Sequence, residues 1–188
     1  MKIRLAVPLQ YDSIVDGEGV RTVLWTQGCP HKCPGCHNEH TQSFKSGFLA
    51  DTQDLKEELI LGLKYQDGIT LSGGEPFMQP EAVYEIASFV KQLGKNVWAY
   101  SGFTFEELLE KSENDENVKK LLNQIDILID GKFVLEQKSM DLYYKGSINQ
   151  RVIDVPASLT FKEAITIPEY EGFRTSENLR EDSDYIFV

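Results

Sequence analysis

Four short apolar runs in this chain each end on a turn built from glycine, cysteine or a small polar residue, and helical patterns fill most of the space between them. Val20-Arg21-Thr22-Val23-Leu24-Trp25-Thr26 leads into Gly28-Cys29, Gly68-Ile69-Thr70-Leu71-Ser72 into Gly73-Gly74, Asn96-Val97-Trp98-Ala99-Tyr100 into Ser101-Gly102, and Ile125-Asp126-Ile127-Leu128-Ile129 into Asp130-Gly131. The β-branched and aromatic content of these runs predicts strands. Helices are predicted from a cap at Asp51 or Thr52 to about Tyr65, with Leu55, Leu59 and Leu63 on one face, and from Pro80 to Gly94 along Val83, Ile86, Ala87, Val90 and Leu93. A short helix opens at Thr104 with Glu107 at capping-box spacing, another covers roughly Asn117 to Asn123, and Arg151 to Val155 reads as a further strand. Strand-then-helix alternation calls for parallel strands joined by helical crossovers. In such sheets sites collect at the C-terminal strand ends, so residues distant in sequence are expected on one rim.

All three cysteines stand on that rim, within eight residues, as Cys29-x3-Cys33-x2-Cys36. An odd, clustered set fits a disulfide framework poorly and metal or redox chemistry well. Closed structural sites use four protein ligands, so three thiolates alone suggest an iron–sulfur cluster with one iron open to an outside ligand. The spacing leaves rivals standing. His31, His37 and His40 lie within or just after the run, so a zinc site of three cysteines and one histidine is open, as are plain reduced thiols. Ser72-Gly73-Gly74-Glu75-Pro76 could expose backbone groups to a small polar ligand, or be a tight turn with a solvated Glu75.

At 188 residues, 41% of them hydrophobic, the chain suits a single domain spanning 1–188. Thirty acidic against 19 basic residues give a formal net charge of −11, which repels a phosphate backbone and argues against nucleic acid as a partner. The first residues lack the apolar core of a signal peptide, and no run approaches the roughly 20 apolar residues that span a bilayer, so the expected location is cytoplasmic, away from membranes. From about Glu169 the sequence is polar and carries no pattern.

The cysteine run taken together with Gly73-Gly74-Glu75-Pro76 resembles the radical S-adenosylmethionine (radical SAM) superfamily. Within it, Gly17-Glu18-Gly19-Val20-Arg21, Thr26-Gln27-Gly28-Cys29-Pro30, Cys36-His37-Asn38, Asp130-Gly131-Lys132-Phe133 and Gly146-Ser147-x-Asn149-Gln150-Arg151-Val152-Ile153-Asp154 resemble the activating proteins of anaerobic (class III) ribonucleoside-triphosphate reductase. The resemblance runs from about residue 10 to 155. Gly35 stands where the superfamily often has an aromatic residue, but Pro34-Gly35-Cys36 occurs in the reductase activators.

The resemblance implies an α/β fold, a partial, open (β/α) barrel with mostly parallel strands. It implies that Cys29, Cys33 and Cys36 hold a 4Fe-4S cluster whose fourth iron takes the amino and carboxylate groups of SAM. Gly73, Gly74, Glu75, Asp130, Asn149 and Arg151 are the implied cofactor-binding residues, with no catalytic side chain beyond the cluster and SAM. The implied reaction is reductive cleavage of SAM to a 5′-deoxyadenosyl radical, which generates a glycyl radical on the large subunit of the anaerobic reductase. An electron donor such as flavodoxin or a thiol reductant is implied as well. Tyr100-Ser101 lies where pyruvate formate-lyase activators carry residues for a monovalent cation, so such a site is not expected here. Arg21, which opens a strand, reads as a structural residue. Two alternatives are an activator of another glycyl-radical enzyme of the pyruvate formate-lyase type, and a non-enzymatic zinc or iron–sulfur binding module.

Overall fold

A computed structural model describes residues 1–174, so the greater part of the patternless C-terminal stretch lies outside the described residues. Eight strands form one sheet: β1 (Lys2–Leu5), β2 (Gln10–Ser13), β3 (Arg21–Thr26), β4 (Phe48–Asp51), β5 (Gly68–Gly73), β6 (Asn96–Tyr100), β7 (Ile127–Asp130) and β8 (Arg151–Asp154). Their spatial order is β4-β1-β3-β5-β6-β7-β8, with β2 paired to β3. The parallel core is β3, β5, β6 and β7, in register from Arg21 opposite Gly68 to Tyr100 opposite Ile129.

The sheet is more mixed than the expected mostly parallel one, because β1, β2, β4 and β8 all pair antiparallel. For β8 the reason lies in its connection. Residues 131–150, between β7 and β8, contain no α-helix to carry the chain across the sheet, so it returns in the opposite direction. The first three of these strands are only four residues long and line the other side of the core, where no α-helix separates them either.

The helices form where local chemistry favours them. Asp51 accepts from the Gln53 N–H at 3.0 Å and starts α1 (Thr52–Gly62). Pro80 opens α2 (Pro80–Gln92), and Gly94 beyond its end takes φ +74°. Thr104 and Glu107 form the expected capping box on α3 (Phe105–Asn114). Asp115 caps α4 (Glu116–Leu122), and Asp154 caps α5 (Val155–Phe161).

Side chains alternate across the strands, and the alternation assigns the two faces. Val97, Ala99, Leu128 and Ile153 join the main core, packed with Ile86, Val90, Phe105, Leu108 and Leu121 of the helices. Trp98, Ile129 and Val152 point the other way, where Tyr100, Tyr144 and Tyr170 pack on them. Helices therefore cover one face, while loops cover the other and leave room for a site. Arg21 is fully buried, with Trp98 5.1 Å from its guanidinium carbon. It donates to Thr70 Oγ1, Ile69 O and Glu18 O, which makes it the structural residue expected, holding backbone carbonyls rather than a carboxylate.

Candidate active site

Beyond Thr26 the chain leaves the sheet through Gly28, at φ +101°, and enters the cysteine loop. The loop is pinned at its root, where Gly28 N–H donates to Thr41 O at 2.7 Å and Cys29 N–H to Gln42 O at 3.0 Å. Lys32 and Gly35, at φ +50° and +70°, coil the chain between the cysteines, and Cys36 N–H closes a turn onto Cys33 O. All three cysteines are half-buried and line one cavity of about 480 Å³. Burial pushes the Cys29 and Cys33 thiols up from their ordinary range. Glu75 raises Cys29 further and Lys132 opposes the shift at Cys33.

Gly73 and Gly74 line the same cavity. They also carry the β3–β5 pairing past its end, since Gly74 N–H donates to Thr26 O at 2.7 Å and Glu75 N–H to Gly28 O at 2.9 Å. That approach excludes side chains. A Cβ on Gly74 would stand 2.5 Å from Gly28 O, and one on Gly73 equally close to Thr26 O.

Glu75 was expected to face a bound cofactor, yet its carboxylate is fully buried behind the cavity wall. Its Oε1 accepts from Ser101 Oγ at 3.0 Å and Phe77 N–H at 3.2 Å. Its Oε2 accepts from Gly102 N–H at 2.8 Å and pairs with His31 Nε2 at 3.0 Å.

The other three residues of the expected cofactor set lie beside the cysteine cavity. Asp130 is buried between the Phe105 N–H and the Arg151 guanidinium, and Arg151 reaches on to Glu106. Asn149 donates to Lys132 O and accepts from Ser147 Oγ. Asp130, Asn149 and Arg151 line a separate polar hollow next to the cysteine cavity. Their neighbours Gly131 and Gln150 are the ones that reach the cavity, together with Tyr100, Tyr144 and Met140. Gly131 and Gln150 were each one residue from an expected position, and no periodicity in a loop tells which of two neighbours turns inward. Tyr144 could have been suspected only as an aromatic near a glycine turn.

The donor set fits an iron–sulfur cluster. Three soft thiols face one cavity with space beyond them. A closed tetrahedral zinc site would draw three sulfurs to about 3.8 Å from one another. A cluster of several irons spreads its thiolates wider. His31 and His37 line the same cavity, His31 with its Nε2 paired to Glu75 and His37 with its ring packed on Phe133, centroids 5.7 Å apart.

Three thiols on a loop at the C-terminal ends of parallel strands make this an iron–sulfur α/β protein, and residues 15–153 match a family described as a 4Fe-4S single cluster domain. The chain is also similar to three proteins named anaerobic ribonucleoside-triphosphate reductase-activating protein. The one from Haemophilus influenzae is 37% identical over 76% of this chain and 94% of the relative. The corresponding values are 36%, 73% and 89% for Vibrio cholerae, and 34%, 74% and 91% for Escherichia coli. The chain belongs to the family of anaerobic ribonucleoside-triphosphate reductase-activating proteins. QueE from Escherichia coli overlaps 55% of this chain and 54% of its own at 16% identity and a TM-score of 0.46, a likeness too slight to build on.

Proposed function

We propose that this chain activates an anaerobic ribonucleoside-triphosphate reductase by generating a glycyl radical on its large subunit. Cys29, Cys33 and Cys36 would hold the 4Fe-4S cluster, and the cavity beyond them, within the usual 300–1,000 Å³ of small-molecule sites, would take SAM. When bound, cluster and SAM together supply a one-electron reductive cleavage that yields methionine and a carbon radical able to take a hydrogen atom from a glycine Cα.

The chain's own residues position and shield. Gly73 and Gly74 bring bare backbone to the cavity wall, where carbonyl oxygens suit an ammonium group. Tyr100 and Tyr144 supply apolar ring surface that limits water around the reacting atoms. Asp130, Arg151 and Asn149 act from the neighbouring hollow by fixing the 130–151 loop, whose Gly131 and Gln150 reach the cavity. We read the sheet as a partial barrel, open on the side where exposed Val15 and Met140 flank the cavity and a glycine-bearing segment could approach.

The observation that carries this reading is the convergence of all three thiols and both glycines on one cavity. The names of the relatives favour the ribonucleotide reductase over a pyruvate formate-lyase type of partner, and an enzyme over a passive metal module. An electron donor such as flavodoxin or a thiol reductant completes the scheme. The acidic surface disfavours nucleic acid, and among the described residues no helix is long and apolar enough to cross a membrane. We place the protein in the cytoplasm.

The test is electron paramagnetic resonance of the anaerobically reconstituted, chemically reduced protein. A reduced 4Fe-4S signal that changes on adding SAM is expected, and it should vanish in Cys29→Ala, Cys33→Ala and Cys36→Ala. Zinc in place of iron, or a cluster indifferent to SAM, would overturn the assignment.

A further inference from the structure

His31 lies midway between Cys29 and Cys33, in a loop where Pro30 and Lys32 on either side are exposed, yet its own side chain is only 5% exposed. The ring turns inward. It packs edge-on against Phe103, with centroids 4.5 Å apart and planes at 74°, and its Nε2 meets Glu75 Oε2 at 3.0 Å. Gly102 makes the space, because any Cβ there would overlap the imidazole. Lys111 places its ammonium 4.6 Å from the Phe103 ring centre, which steadies the ring on which His31 rests.

Glu75 has no capacity left over. A carboxylate offers about four lone-pair sites, and here Ser101 Oγ, the Phe77 N–H, the Gly102 N–H and His31 Nε2 occupy them two to each oxygen. Glu75 follows β5, Ser101 and Gly102 follow β6, and His31 belongs to the loop after β3. One buried carboxylate thus ties three strand ends together, and it grips the cysteine loop between its first two thiols.

We propose that Glu75 and His31 form a latch that sets the shape of the cysteine loop, making Glu75 a positioning residue for the thiolates rather than a contact of the bound cofactor. This inference rests on the cluster reading above and assigns a cause to the loop geometry that the cluster needs. Without the latch, the segment from Pro30 to Pro34 keeps its root pairings at Gly28 and Cys29 but loses its tie to the ends of β5 and β6. The cluster then sits on a looser scaffold, and its iron leaves more easily.

The experiment uses the full chain, reconstituted anaerobically with iron and sulfide, as wild type, Glu75→Gln, Glu75→Ala, His31→Ala and the His31→Ala/Glu75→Ala double variant. It measures the rate at which a chelator strips iron, the line width of the reduced-cluster resonance, and SAM affinity by calorimetry. His31→Ala should speed iron loss on the order of ten-fold, the ratio produced by losing about one charge-assisted hydrogen bond, and Glu75→Ala at least as much, since it also releases Ser101 and the Phe77 and Gly102 N–H groups. The double variant should be no more than about twice as fast as Glu75→Ala, since the contact that His31→Ala removes is already lost there. Glu75→Gln keeps one carbonyl oxygen and should recover part of the loss, and the resonance should broaden in the order of iron loss.

Single effects that multiply in the double variant would overturn the latch. So would unchanged iron loss with a ten-fold fall in SAM affinity in Glu75→Ala, which would make Glu75 a cofactor contact. A wild type with no reduced-cluster signal would instead overturn the cluster reading on which the latch rests. Should Glu75→Ala fail to fold, His31→Ala and Glu75→Gln alone still test the latch, because both must then speed iron loss.

Discussion

Gly74→Ala separates two reasons for glycine in a turn, because Gly74 does not adopt the left-handed backbone that Gly73 and Gly131 do. Its constraint is contact. The added Cβ would stand 2.5 Å from Gly28 O and 2.9 Å from Gly28 N, both backbone atoms that cannot rotate aside. Relief to an ordinary separation of about 3.5 Å requires the end of β5 to part from the root of the cysteine loop by roughly 1 Å. That movement stretches Gly74 N–H to Thr26 O and Glu75 N–H to Gly28 O, now 2.7 and 2.9 Å, beyond useful length. Two such bonds contribute about 1 kcal/mol each, and overpacking adds about 1–3 kcal/mol. The lower chain entropy of alanine when unfolded offsets about 0.5–1 kcal/mol. The net expectation is a loss of about 3 kcal/mol.

Gly131→Ala is the control. It meets only Asn149 Nδ2 at 3.9 Å but sits at φ +92°, so its cost is conformational alone, about 1–2 kcal/mol. Urea unfolding of the metal-free proteins, with the midpoint shift read at constant slope, gives both values. A Gly74→Ala protein within 1 kcal/mol of wild type that retains iron normally would refute the close-approach argument.

Arg151→Ala should cost about 2–3 kcal/mol in the same unfolding assay, the low end for a broken buried pair because the arginine is a third exposed while Asp130 is not. The same arginine holds the Glu106 carboxyl down to about 2. A depressed carboxylate contributes stability that is present above its ordinary value of 4.5 and lost as pH falls toward 2, so this acid sensitivity should shrink in Arg151→Ala. The change at Glu106 is small, since that side chain is more than half exposed. Arg21→Met should lower stability by about 2–3 kcal/mol in thermal unfolding, because Ile69 O and Thr70 Oγ1 lose a buried donor and Glu18 O a part-buried one. A tolerated methionine would show that the Trp98 stack, not hydrogen bonding, keeps the arginine.

The elements legible in the sequence were those whose signal is local. The capping box of Thr104 and Glu107, Pro80 at a helix start and the run Asn96–Tyr100 each write their structure into a few adjacent residues. Of the antiparallel strands β8 was legible as the run Arg151 to Val155, but β1, β2 and β4 were not, since β1 and β4 owe their existence to each other, pairing from Lys2 opposite Asp51 to Leu5 opposite Phe48 across more than forty residues. The site divides in the same way. Cysteine spacing and the glycine pair announce themselves, and the rule that sites gather at strand ends brought them together correctly. Which way Glu75, Asp130 or Arg151 points depends on partners such as His31, Phe105 and Glu106, which only the fold supplies.

That division has a physical basis in what the parallel core and its flanks each do. Four parallel strands, each followed by a loop on the same edge, hold Thr26, Gly73, Tyr100 and Asp130 at one level, and this alignment is what gathers the site. The antiparallel strands at the two ends do not extend the run of parallel pairs, and β4 and β8 finish the sheet without meeting each other. A fully closed barrel surrounds its upper rim with loops and admits small molecules, whereas a sheet that stops short leaves one flank of that rim unobstructed. Under the function proposed above, in which the reacting atom is a backbone carbon within another protein, such a flank would give that segment its way in. The short antiparallel strands thus end the run of parallel pairs, and a connection of the β7–β8 kind, with no crossover helix, is the simplest way to end a parallel sheet early.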